Sequence, residues 1–123
     1  MDMETKRTAS ALGRAAEDKA AEYLSRRGLA ILARNYRVRG AEIDIIAAEG
    51  EAIVFVEVRS RASARYAAPR ESVTLAKQKR ICQAALRWLQ ENDKFSANVR
   101  FDVIEMLAGG IAHLRAAFDY IES

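Results

Sequence analysis

The stretch EIDIIAAEGEAIVFVEVRSR, residues 42–61, decides the fold of this chain. Two apolar runs, residues 41–48 and 52–60, flank a glycine-containing connection of hairpin length, so they predict adjacent antiparallel strands. Both runs are apolar on both faces for most of their length, which is typical of central strands covered by helices on each side. Yet Asp44 interrupts the first run and Glu57 the second. Carboxylates in a covered sheet need a partner, because burying an unpaired charge is costly.

The hairpin geometry brings these two acids together. Side chains alternate along a strand, so Asp44 shares a face with Ile46, and a turn near Gly50 places Asp44 opposite Glu57. Opposite side chains on adjacent strands lie about 5 Å apart at Cβ. At that distance, repulsion and desolvation raise the pKa of at least one carboxyl unless a cation, a basic partner such as Arg59 or contact with water intervenes.

A divalent cation and a salt bridge are the two main interpretations of this pair. Carboxylate oxygens at this spacing suit Mg²⁺ or Mn²⁺, and the backbone carbonyl of Val58 could add a ligand. A metal held there could orient a water against a phosphodiester. The alternative is a purely structural ion pair of Asp44 or Glu57 with Arg59 or a neighbouring arginine. A third acid, Glu17, lies at the margin of the apolar stripe of the first predicted helix.

The rest of the chain predicts one mixed α/β (α+β) domain in which a central sheet is flanked by helices. The predicted element order is α-β-β-β-α-β-β. The predicted segments are a polar tail at residues 1–8, one domain at residues 9–123, a helix from Ser10 to Arg27 capped by Gly28, a strand within residues 29–40, a loop at residues 60–72, a helix from about Val73 to Asn92, and two strands around Gly109–Gly110.

Composition narrows the class of protein. The chain has 123 residues, half of them hydrophobic, which suits one core. No apolar segment is long enough to cross a bilayer, and no apolar stretch follows the charged N-terminal residues, so we expect a cytoplasmic protein. The single cysteine, Cys82, excludes an intrachain disulfide and a multi-cysteine zinc site. The only histidine, His113, is interpreted as a surface residue rather than a catalytic one.

Basic residues bracket the acidic pair, although the net charge is only +3. Upstream, Arg34, Arg37 and Arg39 precede Glu42, and the loop after the strand at residues 52–60 carries Arg61 and Arg65 with no acid between them. On the second predicted helix, Lys77, Arg80 and Arg87 repeat on one face. Such clusters are usually solvated, but beside functional carboxylates they indicate an anionic ligand.

Three further residues have structural interpretations. Trp88 falls at a core spacing of the second helix, and Asp102 is read as the partner of Arg100. Tyr36 could stack on a base, but an amphipathic strand residue is the preferred interpretation.

Several motifs together resemble the YraN family of small bacterial proteins. They cover most of the chain, from about Gly13 to Met106. The motifs are GRAAE at residues 13–17, RNYR at 34–37, EIDIIA at 42–47, VFVEVRSR at 54–61 and KQKRI at 77–81. That family is similar to the archaeal Holliday-junction resolvases of the PD-(D/E)xK nuclease superfamily.

The resemblance implies a restriction-endonuclease-like core and a metal-dependent nuclease acting on structured or branched DNA. It implies that Asp44, Glu57 and the Val58 carbonyl bind Mg²⁺ or Mn²⁺, that Glu17 completes the site, and that Arg59 holds the attacking water. Resolvase relatives act as dimers, so a homodimer would suit a symmetric substrate, and neither a membrane nor a nucleotide cofactor is implied. The residues expected to contact nucleic acid are Arg61, Arg65, Lys77, Gln78 and Arg80.

The sequence departs from the superfamily pattern at Arg59, where lysine is usual. An arginine side chain stays protonated in proteins, so it can hold a water or a phosphate but is a poor general base. Ile43 replaces the proline before Asp44, with little consequence because its side chain is expected to face away. A nucleic-acid-binding protein with a weakened or inactive site is therefore the second hypothesis. An interaction domain whose acids only form salt bridges is the third.

Overall fold

The computed structural model describes residues 3–60, 73–94 and 96–122, with side chains from residue 13 onward. The elements are α1 (Met3–Arg26), β1 (Ala30–Val38), β2 (Ala41–Glu49), β3 (Ala52–Ser60), α2 (Leu75–Glu91), β4 (Asn98–Leu107) and β5 (Gly110–Phe118). This order confirms the prediction, although α1 begins at Met3 rather than Ser10. Neither helix in these ranges combines the length and apolar character that a membrane crossing requires.

The five strands form one mixed sheet in the order β1-β2-β3-β4-β5. Strands joined by short turns pair antiparallel, whereas β3 and β4 pair in parallel because α2 lies between them in the chain. The central strands β2 and β3 have strand neighbours at both edges, and apolar clusters cover both of their faces, as their apolar sequences predict.

Two caps fix how the helices meet the sheet. Gly28, at a φ of 91°, ends α1, and the N–H of Leu29 donates to the Leu24 carbonyl at 3.1 Å. This is the left-handed C-terminal cap that the sequence predicts. At the start of α2, the Thr74 hydroxyl accepts the Lys77 N–H at 3.2 Å. Lys77 therefore lies in the first turn of α2, beside the end of β3.

Separate apolar clusters cover the two faces of the sheet. On the α2 face, Phe55 stacks on Phe101 and meets the edge of Trp88, whose ring centroid lies 6.0 Å away. On the α1 face, Leu24 packs with Val56 and other apolar side chains. Trp88 is buried, which confirms its structural interpretation, and Cys82 is buried in the same cluster.

Strict alternation of side chains fails at Asp44. Ile43 and Ile46 both pack in the α2 cluster, whereas Ile45 packs in the α1 cluster. Two residues of one strand that are separated by a single residue should share a face, so β2 changes face across Asp44. The sequence pattern alone does not reveal this change, and it decides where the Asp44 side chain can reach.

Candidate active site

The ladder between β2 and β3 ends next to the two acids. The last paired residues are Ile45 and Val56, so Asp44 and Glu57 occupy the following rung, as the hairpin geometry predicts. In place of a further backbone partner, the Val58 N–H donates to Asp44 Oδ2 at 2.7 Å. The carboxylate thus satisfies a backbone donor at the point where the two strands separate.

Asp44 lies in an unfavourable electrostatic environment. Burial and the nearby Glu57 carboxylate raise its pKa to about 8, and Glu17 adds to the effect. The hydrogen bond from the Val58 N–H lowers the pKa without cancelling these effects, and a hydrogen bond with the Glu57 carboxyl raises it further. Among the described residues, Asp44 makes no salt bridge. The site therefore disfavours ionisation of Asp44 unless a cation neutralises the added charge.

Glu57, by contrast, has basic partners. Its side chain is 6% exposed, and its Oε2 lies 2.5 Å from Lys77 Nζ and 3.5 Å from an Arg59 guanidinium nitrogen. The salt-bridge interpretation therefore describes Glu57 but not Asp44. The lysine that contacts this acid comes from α2 rather than from β3, and sequence spacing does not indicate the contact because the two residues lie in different elements.

Glu17 faces the same acids from α1. Its Oε1 is buried and has no hydrogen-bond partner among the described residues. Arg34 is 3.8 Å from this oxygen but lies closer to Asp18, at 2.7 Å. A buried carboxylate oxygen without a donor marks a place where an external donor or cation would be stabilising.

Two clefts meet at Asp44. One, of about 460 Å³, opens toward α2 and includes Glu57, Lys77 and Arg80 in its wall. The other, of about 470 Å³, opens toward α1 and includes Arg14, Glu17 and Asn35. Three residues line both clefts: Arg37, Glu42 and Asp44. The position of Asp44 where β2 changes face explains why one side chain reaches both openings.

The remaining residues expected at the site are only partly placed by the structure. Arg80 is exposed in the α2-side cleft. The Gln78 amide donates to the Val73 carbonyl at 3.0 Å, so it holds the start of α2. Arg61 and Arg65 lie outside the described residues. Tyr36 donates to Glu91 at 2.6 Å and packs in the α2 cluster, in agreement with its interpretation as a strand residue.

Within the described ranges, no set of three or more acidic, histidine or cysteine side chains converges closely enough to bind a metal ion. Asp44 and Glu57 are nevertheless an adjacent pair, and Mg²⁺ commonly takes one or two carboxylates and retains several waters. The raised pKa of Asp44 and the donorless Glu17 oxygen are both consistent with a cation at this position. The residues present therefore fit a hydrated divalent ion better than a fully protein-ligated one.

A hydrogen-bond network around a second buried aspartate, Asp102, lies on β4 and β5, away from both clefts. Asp102 accepts from Arg100 at 2.8 and 3.0 Å, from the Ala116 N–H at 3.0 Å and from His113 Nε2 at 2.8 Å. Tyr23 lies 3.0 Å from His113 Nδ1. A neutral imidazole with its proton on Nε2 satisfies both contacts, because it donates to the carboxylate and accepts from the phenol.

This network corrects one prediction and agrees with another. The His113 side chain is only 6% exposed, so its interpretation as a surface histidine is wrong. His113 pairs with Ile104, which packs in the α1 cluster, so its side chain faces α1 on the same side of the sheet as Asp102. Asp102 does pair with Arg100, as expected, and Arg100 also donates to Glu49 at 2.6 Å.

Comparison with known proteins places the chain in a family. A family model described as "Uncharacterised protein family UPF0102" matches residues 16–106. A UPF0102 protein of Rhodococcus opacus is 46% identical over 113 residues, which cover 88% of this chain and 96% of that protein. A UPF0102 protein of Geobacter metallireducens is also 46% identical, over 88% of this chain and 92% of its own length. The resemblance to the YraN family is thereby confirmed, and the chain belongs to the UPF0102 (YraN) family.

Proposed function

We propose that this protein is a metal-dependent endonuclease that hydrolyses phosphodiesters in structured or branched DNA. The observation that carries the proposal is that Asp44 and Glu57 are neighbours just beyond the end of the β2–β3 ladder, where two clefts with basic side chains meet. The motif resemblance to Holliday-junction resolvases supplies the substrate class. The charge imbalance around Asp44 supplies the physical reason for a cation.

The residues that would hold the cation are Asp44 and Glu57, with the Val58 carbonyl as a further oxygen. Bound there, Mg²⁺ would lower the pKa of a coordinated water and neutralise charge on a phosphate. The Val58 N–H fixes one oxygen of Asp44 and leaves the other for a ligand. Glu17 adds an acid on the α1 side, where it can hydrogen-bond a water in the cleft.

Basic side chains would attract and orient the DNA backbone. Arg59 lies beside Glu57 and offers donors to a phosphate oxygen or to the attacking water, while remaining protonated. Lys77 and Arg80 place positive charge on the wall of the α2-side cleft. Contacts of this kind are electrostatic and sequence-independent, so DNA binding should weaken as salt rises.

A nucleic-acid-binding protein with an inactive site is the second candidate, and two observations favour it. Arginine stands at position 59, and Lys77 lies 2.5 Å from Glu57, so it competes with a cation for that carboxylate. If Lys77 keeps that contact when DNA binds, Glu57 has only its other oxygen for a cation and its charge is already partly neutralised, so it is a weaker metal ligand. Binding would then persist without turnover.

Cleavage of a panel of branched and linear DNA in Mg²⁺ or Mn²⁺ distinguishes these candidates. We expect the wild type to cut branched DNA, and Asp44→Asn and Glu57→Gln to bind it without cutting. Glu51→Gln is the matched control, because Glu51 is an exposed acid at the opposite end of the same hairpin. Binding by the wild type with no cleavage in either metal would support the second candidate instead.

Metal titration by calorimetry tests the cation independently of turnover. We expect heat from Mg²⁺ or Mn²⁺ binding to the wild type and to Glu51→Gln, and none from Asp44→Asn. Equal heats from the wild type and Asp44→Asn would remove Asp44 from the proposed site. If no metal binds and none raises the melting temperature, the acids form only structural contacts, as in an interaction domain.

A further inference from the structure

Asn35 has an unusual backbone conformation for a residue inside a strand. Its φ is 53°, in the left-handed region that glycine prefers and asparagine tolerates better than most residues. Within the described ranges, only two other non-glycine residues have a positive φ, Asp93 and Ala116. Conformations of this kind persist where the surrounding structure or a function requires them.

Local structure accounts for the other two residues. Asp93 follows the C-terminal cap of α2, and the next N–H, that of Lys94, donates to the Leu89 carbonyl at 2.8 Å. That is the usual left-handed end of a helix. Ala116 lies in the irregular register between β4 and β5, where its N–H donates to Asp102. Neither explanation applies to Asn35, which lies inside β1 with no register shift beside it.

Asn35 occupies the rung next to Asp44. Arg34 pairs with Ile45 and Tyr36 pairs with Ile43, so the intervening rung holds Asn35 and Asp44. β1 also changes face at this rung, because Tyr36 packs in the α2 cluster while Arg34 forms ion pairs with α1. The two strands therefore depart from alternation together, and both rung residues face open clefts.

The side chain of Asn35 is available for a ligand. It is exposed, and it lines the α1-side cleft with Glu17 and Asp44. No hydrogen bond links its amide to another side chain in the described part of the chain. An arginine in this position would form an ion pair with the nearby acids, as Arg34 does with Asp18. A neutral amide does not pair with them in this way, so its N–H groups can donate to an anion.

We infer that Asn35 contacts the substrate of the proposed nuclease. Its amide N–H₂ donates to a phosphate oxygen of a DNA strand that crosses Asp44 from the α2-side cleft to the α1-side cleft. The left-handed backbone presents the amide at this crossing. The inference rests on the proposed function. It places the part of the DNA strand that lies beyond the cleaved phosphate in the α1-side cleft.

Asn35→Gly separates the amide from the backbone conformation, because glycine adopts a positive φ without strain. We expect this variant to keep or raise the melting temperature while cleavage of branched DNA in Mg²⁺ falls roughly 10- to 100-fold, the loss for one hydrogen bond to a charged group. Asn35→Asp, which also tolerates the conformation, should lose more because it places a carboxylate against the phosphate. Asp93→Gly is the matched control and should cleave at the wild-type rate.

The outcomes separate the two claims. Wild-type cleavage by a folded Asn35→Gly overturns the role of Asn35 and leaves the proposed nuclease intact. An Asn35→Gly variant that melts lower and is rescued by Asn35→Asp has lost a structural contact, which also overturns the inference. A wild-type protein that cuts no DNA removes the proposed function and this inference with it.

Discussion

Asp44 and Asp102 are the same residue type on strands β2 and β4 of one sheet, yet their environments are opposite. Asp102 is fully buried and receives hydrogen bonds from Arg100, His113 and the Ala116 N–H. Asp44 accepts a hydrogen bond from the Val58 N–H, but its nearest side-chain neighbours are two other acids, Glu57 and Glu17. Although burial alone raises the pKa of Asp102, these hydrogen bonds lower it to about 2, whereas burial and Glu57 raise that of Asp44 to about 8.

The comparison shows which of the two acids is compensated by the protein's own donors and which is not. The donors around Asp102 satisfy its charge within the protein, so that network can specify structure without any ligand. The acids around Asp44 lack such compensation and line open clefts. Perturbed carboxyls in clefts are frequent at functional sites, for this physical reason. Each of the following predictions tests one side of this contrast.

Asp102→Asn should produce the largest loss of stability. The substitution leaves the mostly buried Arg100 guanidinium without its main counter-charge, and removing one member of a buried ion pair costs about 3–5 kcal/mol. Urea unfolding followed by circular dichroism measures the change in the free energy of unfolding. Asp119→Asn, an exposed control, should change it by less than about 0.5 kcal/mol. A similar small effect for Asp102→Asn would mean that the network does not stabilise the fold.

Acid should weaken the wild type through Asp102. The folded-state pKa of about 2 lies below the unfolded value of 3.8, so the unfolded chain binds the proton first. The free energy of unfolding therefore falls by roughly 2 kcal/mol from this residue as the pH drops from about 5 to about 2. Other carboxyls titrate in the same range, so the relevant measurement is the difference between the wild type and Asp102→Asn. That difference should narrow on acidification, and a constant difference would contradict the depressed pKa.

These two centres also mark what the sequence could and could not predict. The order of elements, the central hairpin and the meeting of Asp44 with Glu57 follow from apolar runs and strand geometry, which are local properties. The contact of Lys77 with Glu57 depends on how α2 packs against β3, and the burial of His113 depends on its contacts with Asp102 and with Tyr23 of α1. The residue type of Asn35 does not by itself indicate a site residue, because the feature that distinguishes it is its left-handed backbone angle. Tertiary arrangement therefore decided the parts of the site that sequence reasoning missed.

Asp44→Asn should stabilise the protein when no metal is present. Because the folded-state pKa of Asp44 lies above its unfolded value, the folded chain holds this proton more tightly. The stability of the wild type should therefore decline as the pH rises from about 4 to about 8. The amide can still accept the Val58 N–H but carries no charge, so the variant should be more stable by about 1–2 kcal/mol at pH 8, with water at the cleft limiting the gain.

Unfolding of the two proteins in a chelator at pH 5 and pH 8 measures this effect. The gain of Asp44→Asn over the wild type should appear at pH 8 and shrink at pH 5, where the wild-type carboxyl is protonated in the folded state. Adding Mg²⁺ at pH 8 should then stabilise the wild type selectively. If the variant is less stable than the wild type at both pH values, Asp44 has a structural role like that of Asp102.

Arg115→Ala should have the smallest effect and shows where the Asp102 network ends. Arg115 donates to Glu49 at 2.8 Å, but its side chain is 54% exposed, and exposed ion pairs contribute about 0–1 kcal/mol. Glu49 keeps its bond to Arg100, and Arg100 keeps its bonds to Asp102, so the acid sensitivity of the variant should match that of the wild type. Unfolding between pH 2 and pH 5 checks both expectations. If Arg115→Ala instead loses several kcal/mol of stability, or unfolds at a different acidic pH, then Arg115 also helps to balance the charge of Asp102. The contrast between Asp102 and Asp44 would in that case depend on solvent-exposed ion pairs as well as on buried donors.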